Sequence, residues 1–69
     1  QQYGILKCSA ADYHKIDRGD IVGRRQNRFG WELLVSDRQR CRRKYPGFVI
    51  DSTTLDEIML YYVKGNSVQ

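Results

Sequence analysis

Thr54-Leu55-Asp56-Glu57-Ile58-Met59-Leu60-Tyr61-Tyr62-Val63-Lys64-Gly65 carries the signals of one amphipathic helix from start to stop. Thr54 stands where a hydroxyl caps the first turn, and Glu57 stands where a carboxylate reaches back to the cap, the spacing of a capping box. Leu55, Ile58, Met59, Tyr62 and Val63 recur at i, i+3, i+4, i+7 and i+8, which predicts one continuous apolar stripe packed on the rest of the chain. Tyr61 and Leu60 fall off that stripe and are either a second contact surface or merely partly exposed, the latter being the simpler expectation. Asp56 and Glu57 sit at the positive end of the helix dipole and Lys64 at the negative end, while Gly65 is suited to end the helix in a left-handed conformation.

Upstream of this helix the pattern changes to short, strand-sized runs. Trp31 to Ser36 alternates Trp31, Leu33 and Val35 against Glu32, Leu34 and Ser36, the period of a strand. Tyr3 to Cys8 and Ile21 to Arg25 read as strands, with Asp17-Arg18-Gly19-Asp20 a turn by composition before the second, and Gln26 to Gly30 reverses the chain between the second strand and the third. Ser9 to Ile16 is ambiguous, with Ser9 placed to cap a short helical turn. Asp37-Arg38-Gln39 reads as a turn, after which Arg40 to Tyr45 would run back beside the third strand. Pro46-Gly47 interrupts, and Phe48-Val49-Ile50 finishes the sheet or crosses to the helix. The order predicts an α+β fold: a small antiparallel sheet of three to four strands, arranged as a meander and packed against one C-terminal α-helix.

Sixty-nine residues make one domain, 1–69, with a small core. The opening Gln1 in place of Met is compatible with a segment excised from a longer protein. No apolar run approaches the ~20 residues of a membrane-spanning helix. Cys8 and Cys41 are too few for a disulfide-rich scaffold, and with His14 as the single histidine they cannot assemble a four-ligand Cys/His zinc site. Two reduced thiols in an intracellular protein of the cytoplasm or nucleus are expected, although a Cys8–Cys41 bridge is not excluded by sequence. No cofactor motif, metal-ligand set, phosphate-cradling glycine loop or histidine-paired nucleophile is present, so a non-enzymatic role is expected. Arg18-Gly19-Asp20 spells an adhesion tripeptide, but three residues carry almost no specificity.

The charge distribution is the strongest functional signal. Net charge is +4, yet eight cations (Arg24, Arg25, Arg28, Arg38, Arg40, Arg42, Arg43 and Lys44) stand between positions 24 and 44 against only Glu32 and Asp37. If 38–44 is extended, Arg38, Arg40, Arg42 and Lys44 point to one face at period two. A row of like charges is relieved by phosphates, and seven of the eight cations are arginine, the residue suited to bidentate phosphate and base-edge contacts. A nucleic acid, DNA before RNA, is therefore the expected partner of these eight residues, with an acidic or phosphorylated protein as the alternative. The bland reading is a solvated, edge-protecting surface. Phe29 and Tyr45 are candidates for stacking on bases, whereas a lone Trp in so small a domain anchors the core, as expected for Trp31. Oligomeric state is not legible, and a small regulatory protein fits either partner class.

The stretch Gly23-Arg24-Arg25-Gln26, Phe29-Gly30-Trp31-Glu32, Tyr45-Pro46-Gly47-Phe48 and Thr54-Leu55-Asp56-Glu57 resembles, in its order, the AP2-type domain and the related arm-binding domains of tyrosine integrases. The resemblance implies a three-stranded sheet on one helix, with the sheet entering the major groove and Arg24, Arg25, Trp31, Arg40 and Arg42 as contacts. Gly19-Asp20-Ile21-Val22-Gly23-Arg24 and the segment 55–62 are also similar to the phosphate-binding strand and second helix of the SH2 domain. That similarity implies Arg24 as a phosphotyrosine ligand.

Overall fold

Two consecutive apolar residues, Ile5 and Leu6, are both buried, and this is possible only for a strand covered on both faces. In the computed structural model, which describes residues 2–63, the strand that holds them, β1 (Gly4–Cys8), lies inside a four-stranded sheet. The other strands are β2 (Ile21–Asn27), β3 (Gly30–Val35) and β4 (Val49–Ser52), in the spatial order β2-β3-β1-β4 with every neighbouring pair antiparallel. Two helices complete the fold, α1 (Arg38–Lys44) and α2 (Leu55–Val63). The fold is thus a small α+β architecture with four strands and a C-terminal helix. It is not a meander, because β1 is inserted between β3 and β4.

The sheet separates two small cores. Leu6, Leu33, Val35 and Ile50 point to one face and pack with Ile16, Ile21, Cys41 and Tyr45. Ile5 and Leu34 point to the other face and meet Ile58 and Tyr61 of α2. This explains the run Leu33-Leu34-Val35, which is apolar at every position because β3 is central and covered on both sides. Trp31 is half-buried and packs against the first core, as expected of a lone Trp, and both thiols are free, Cys41 fully buried and Cys8 partly so.

The main departure from the sequence reading is α1. Residues 38–44 are helical, not extended, and the reasons are local. Asp37 caps the helix by accepting a 3.0 Å hydrogen bond from the Arg40 amide. No residue in the segment is β-branched, and its one apolar side chain, Cys41, falls four residues before Tyr45, so that both enter the core together. Arg42, Arg43 and Lys44 occupy the last turn, where cations suit the helix dipole.

The second departure is the rotation of α2. The capping box forms as expected, with the Glu57 amide donating to Thr54 Oγ1 at 3.2 Å and the Thr54 amide donating to Glu57 Oε1 at 3.3 Å. The Thr53 hydroxyl also donates to Glu57 Oε1. The buried residues, however, are Ile58 and Tyr61, while Leu55, Met59, Tyr62 and Val63 of the expected stripe are exposed. Gly23 of β2 accounts for this, since a Cβ there would lie 3.2 Å from Tyr61 Cβ and Cδ1. The missing side chain makes a seat for the Tyr61 ring, and seating it turns the stripe outward. Lys64 and Gly65, expected to close the helix, lie outside the described residues.

Candidate nucleic-acid interface

The two faces of the sheet differ in charge. The side built by residues 12–20, α1 and Arg24 of β2 carries Lys15, Arg18, Arg24, Arg38, Arg40, Arg42, Arg43 and Lys44 against Asp12, Asp17, Asp20 and Asp37. The α2 side carries Lys7 and Arg25 against Glu32, Asp51, Asp56 and Glu57. Arg28 stands at the tip of the β2–β3 hairpin. The first side is therefore net basic and the second net acidic, so the molecule is electrically two-sided.

Helix α1 replaces the period-two row with a different distribution. At about 100° per residue, Arg38 and Arg42 share one direction, whereas Arg40 and Lys44 share another roughly 160° away. Most of these cations are tied to the fold. Arg38 Nη1 donates to the Tyr3 carbonyl at 2.8 Å, and the Arg42 guanidinium donates twice to the Ile50 carbonyl, from Nε at 3.2 Å and Nη2 at 2.9 Å. Arg40 Nη1 lies 3.5 Å from the Asp20 carboxylate, and Lys44 Nζ bridges Asp17 (2.8 Å) and Asp20 (2.9 Å). Of the α1 cations, Arg43 is the one whose side chain makes no hydrogen bond or ion pair among the described residues; it projects with the exposed Gln39, flanked by the half-exposed Arg40.

Asp20 is the anchor beneath this helix. Its side chain is only 5% exposed. Burial opposes its ionisation, but the Tyr45 hydroxyl, the Lys44 ammonium and the Arg40 guanidinium overcome that penalty and hold its carboxyl below the ordinary range. The same contacts, led by the Asp17 and Asp20 carboxylates, raise Lys44 well above an ordinary lysine. Burial and the Asp20 hydrogen bond raise Tyr45. Tyr45 is accordingly a core residue whose hydroxyl is fully engaged, which removes it from the stacking candidates.

The remaining candidates divide between the two faces. The Arg24 guanidinium lies over the Tyr13 and Trp31 rings at 5.8 and 5.4 Å and donates to the Tyr13 hydroxyl at 2.6 Å. The two rings are themselves stacked, with centroids 4.8 Å apart. Residues 9–20 therefore cover the sheet face on which Arg24 and Trp31 would have met a groove. Arg25 belongs to the opposite face, paired with Glu32 at 3.1 Å and lying over Tyr61.

Arg28 and Phe29 occupy the hairpin tip, where Phe29 is 83% exposed and Arg28 makes no ion pair or hydrogen bond among the described residues. The tip is held by Asn27, whose Oδ1 accepts from the Phe29 amide at 2.8 Å and the Gly30 amide at 3.0 Å. Gly30 has φ +147°, and a side chain there would collide with the Cys8 carbonyl oxygen, so the tip packs directly on the end of β1. Beside this contact lies an open cleft of about 470 Å³ whose walls include Lys7, Cys8, Ser9, Phe29, Trp31 and Glu32. The sequence singled out Phe29 but not this cleft, because the β1–β3 register that forms it has no local signature.

Comparison with protein-family models, with curated proteins and with solved structures gives no match.

Proposed function

We propose that the chain is a nucleic-acid-binding module whose basic side contacts the phosphate backbone. The observation that carries this is the segregation of charge across the sheet, with the α1 side net basic and the α2 side net acidic. Such a field orients a polyanion toward one side and away from the other. Within that side, Arg43 and the accessible Arg40 supply contacts on α1, and Arg28 extends them to the hairpin tip. The cations bound inside the fold (Arg38, Arg42 and Lys44) hold α1 in place and add to the field. Arg24 does the same for the Tyr13–Trp31 stack.

The test is an electrophoretic mobility shift against double-stranded DNA, single-stranded DNA and RNA as salt is raised. Binding at low ionic strength is expected, with log K falling linearly against log salt as counterions are released. Absence of a shift with all three polymers at low ionic strength overturns the proposal.

A second reading has its own observation. Leu55, Met59, Tyr62 and Val63 form an exposed apolar flank on α2, a feature of protein-interaction surfaces. It favours a protein-interaction module that uses the acidic, apolar side. Strict monomer behaviour together with nucleic-acid binding sensitive only to α1-side substitutions would exclude it as a self-association surface.

A further inference from the structure

We infer that the cleft beside the hairpin tip takes an unpaired nucleobase, stacked on Phe29, so that the module prefers single-stranded over duplex nucleic acid. The inference rests on the nucleic-acid reading above and names the form of polymer that the same molecule would bind.

The exposure of Phe29, the bonds that fix its backbone and the lining of the cleft converge on it. Phe29 is 83% exposed, and no other described aromatic residue approaches that exposure. An apolar ring left in water at a loop tip forgoes the stabilisation that burial would supply, so the fold gains nothing from it. The backbone that carries the ring is fixed, since Asn27 Oδ1 holds the amides of Phe29 and Gly30 and Gly30 packs against Cys8. With the loop backbone already ordered, stacking on a base costs little beyond fixing one side chain, and base–aromatic stacking is tolerant of sequence.

The chemistry of the cleft separates a base from a phosphate. Its volume of about 470 Å³ is that of a site for one small group, too small for a paired duplex step. Lys7 and Glu32 both line it, so the cleft carries no net charge to draw in a phosphate, and the Glu32 carboxylate, held by Arg25 and Asn27, keeps lone pairs that accept hydrogen bonds from the exocyclic amino groups of bases. Arg28, adjacent to Phe29 in the chain, exposed and without an ion pair among the described residues, is available to the phosphate of such a nucleotide. Within a duplex the faces of a base are covered by its neighbours and its amino groups are paired. Only an unpaired base can offer both a ring face to Phe29 and a free edge to Glu32.

Trp31 lines the same cleft and is the single tryptophan of the chain, so its fluorescence reports directly on occupancy. The experiment titrates wild type, Phe29→Ala and Phe29→Tyr with an eight-nucleotide oligo-dC and with a duplex of equal length at low ionic strength. Wild type is expected to bind the single strand at least ten-fold tighter than the duplex, with quenching of Trp31 by the single strand only. Phe29→Ala is expected to lose about ten-fold in single-strand affinity at unchanged duplex affinity and unchanged melting temperature, and Phe29→Tyr to restore it. Binding of both polymers with no single-strand preference, or single-strand binding indifferent to Phe29→Ala, overturns the inference and leaves the nucleic-acid reading standing. Binding to neither polymer overturns the inference, and absence of binding to RNA as well overturns the nucleic-acid reading.

Discussion

The Tyr45 hydroxyl donates a 2.6 Å hydrogen bond to Oδ2 of the buried Asp20 and accepts one of 2.9 Å from the Asp17 amide. That pair joins the turn Arg18–Asp20, which leads into β2, to the residue that follows α1. Lys44 reaches the same carboxylate oxygen and Arg40 the other, so one carboxylate positions both ends of the basic helix. The basic side is thus organised around a buried acid.

Asp20→Asn is therefore expected to destabilise the fold by about 1.5–3 kcal/mol, the range for hydrogen bonds to a charged group. Chemical denaturation of the wild type and variant checks this. A change below 0.5 kcal/mol would mean that Asp20 does not anchor α1.

The pH dependence follows from the same cluster. Asp20 has a depressed carboxyl in the fold, so its contribution is fully present above the unfolded value near 4 and is lost as pH falls through the lower folded value. Lys44 is raised, so its contribution is present below about 10.5 and declines as pH rises through its folded value. Tyr45, also raised, favours the fold until the unfolded tyrosine begins to ionise near pH 10. The melting temperature is expected to be flat between about pH 5 and 9 and to fall on both sides. Asp20→Asn should flatten the acid limb, and an acid limb of unchanged shape would contradict the assignment.

Arg42 and Arg43 are neighbours in sequence with opposite expected roles. Arg42 spends two donors on the Ile50 carbonyl of the edge strand β4, so Arg42→Ala should cost about 1–2 kcal/mol. Arg43 makes no such bond, and Arg43→Ala should leave stability within about 0.5 kcal/mol. Paired thermal melts separate the two, and equal losses would show that the helix does not seat as described.

Gly30→Ala is expected to destabilise by more than about 2 kcal/mol, because φ of +147° disfavours any side chain and the new methyl group would meet the Cys8 carbonyl. Gly19→Ala, with open space around it, serves as the control and should be nearly neutral. Equal melting temperatures for the two variants would argue against the tight packing of the hairpin tip.

Much of the fold was readable from local signals. The capping box at Thr54 and Glu57, the hairpin reversal before Gly30 and the runs that became β1, β2, β3 and β4 each follow from residues close in sequence. The segment 38–44 is ambiguous in sequence, because its spacing of cations satisfies a strand period while its cap, Asp37, and its buried pair, Cys41 and Tyr45, satisfy the helix that forms. The two apolar residues four positions apart were the better signal, since burial determines conformation more strongly than exposed charge does. The rotation of α2 depended on Gly23, 38 positions before Tyr61, and no helical periodicity contains that information. For the candidate site, the basic residues were legible as a set, but their division into fold-bound cations and the outward Arg28 and Arg43 required knowledge of their partners.

The central claim is that the basic side binds nucleic acid through outward cations, and the most direct measurement is the salt slope of binding for wild type and the Arg28→Ala/Arg43→Ala double variant. Both proteins should melt at the same temperature, while the double variant binds more weakly and its log K against log salt slope is shallower by about 1.4–1.8, the loss of two phosphate contacts. An identical slope and affinity for the two proteins would contradict the account.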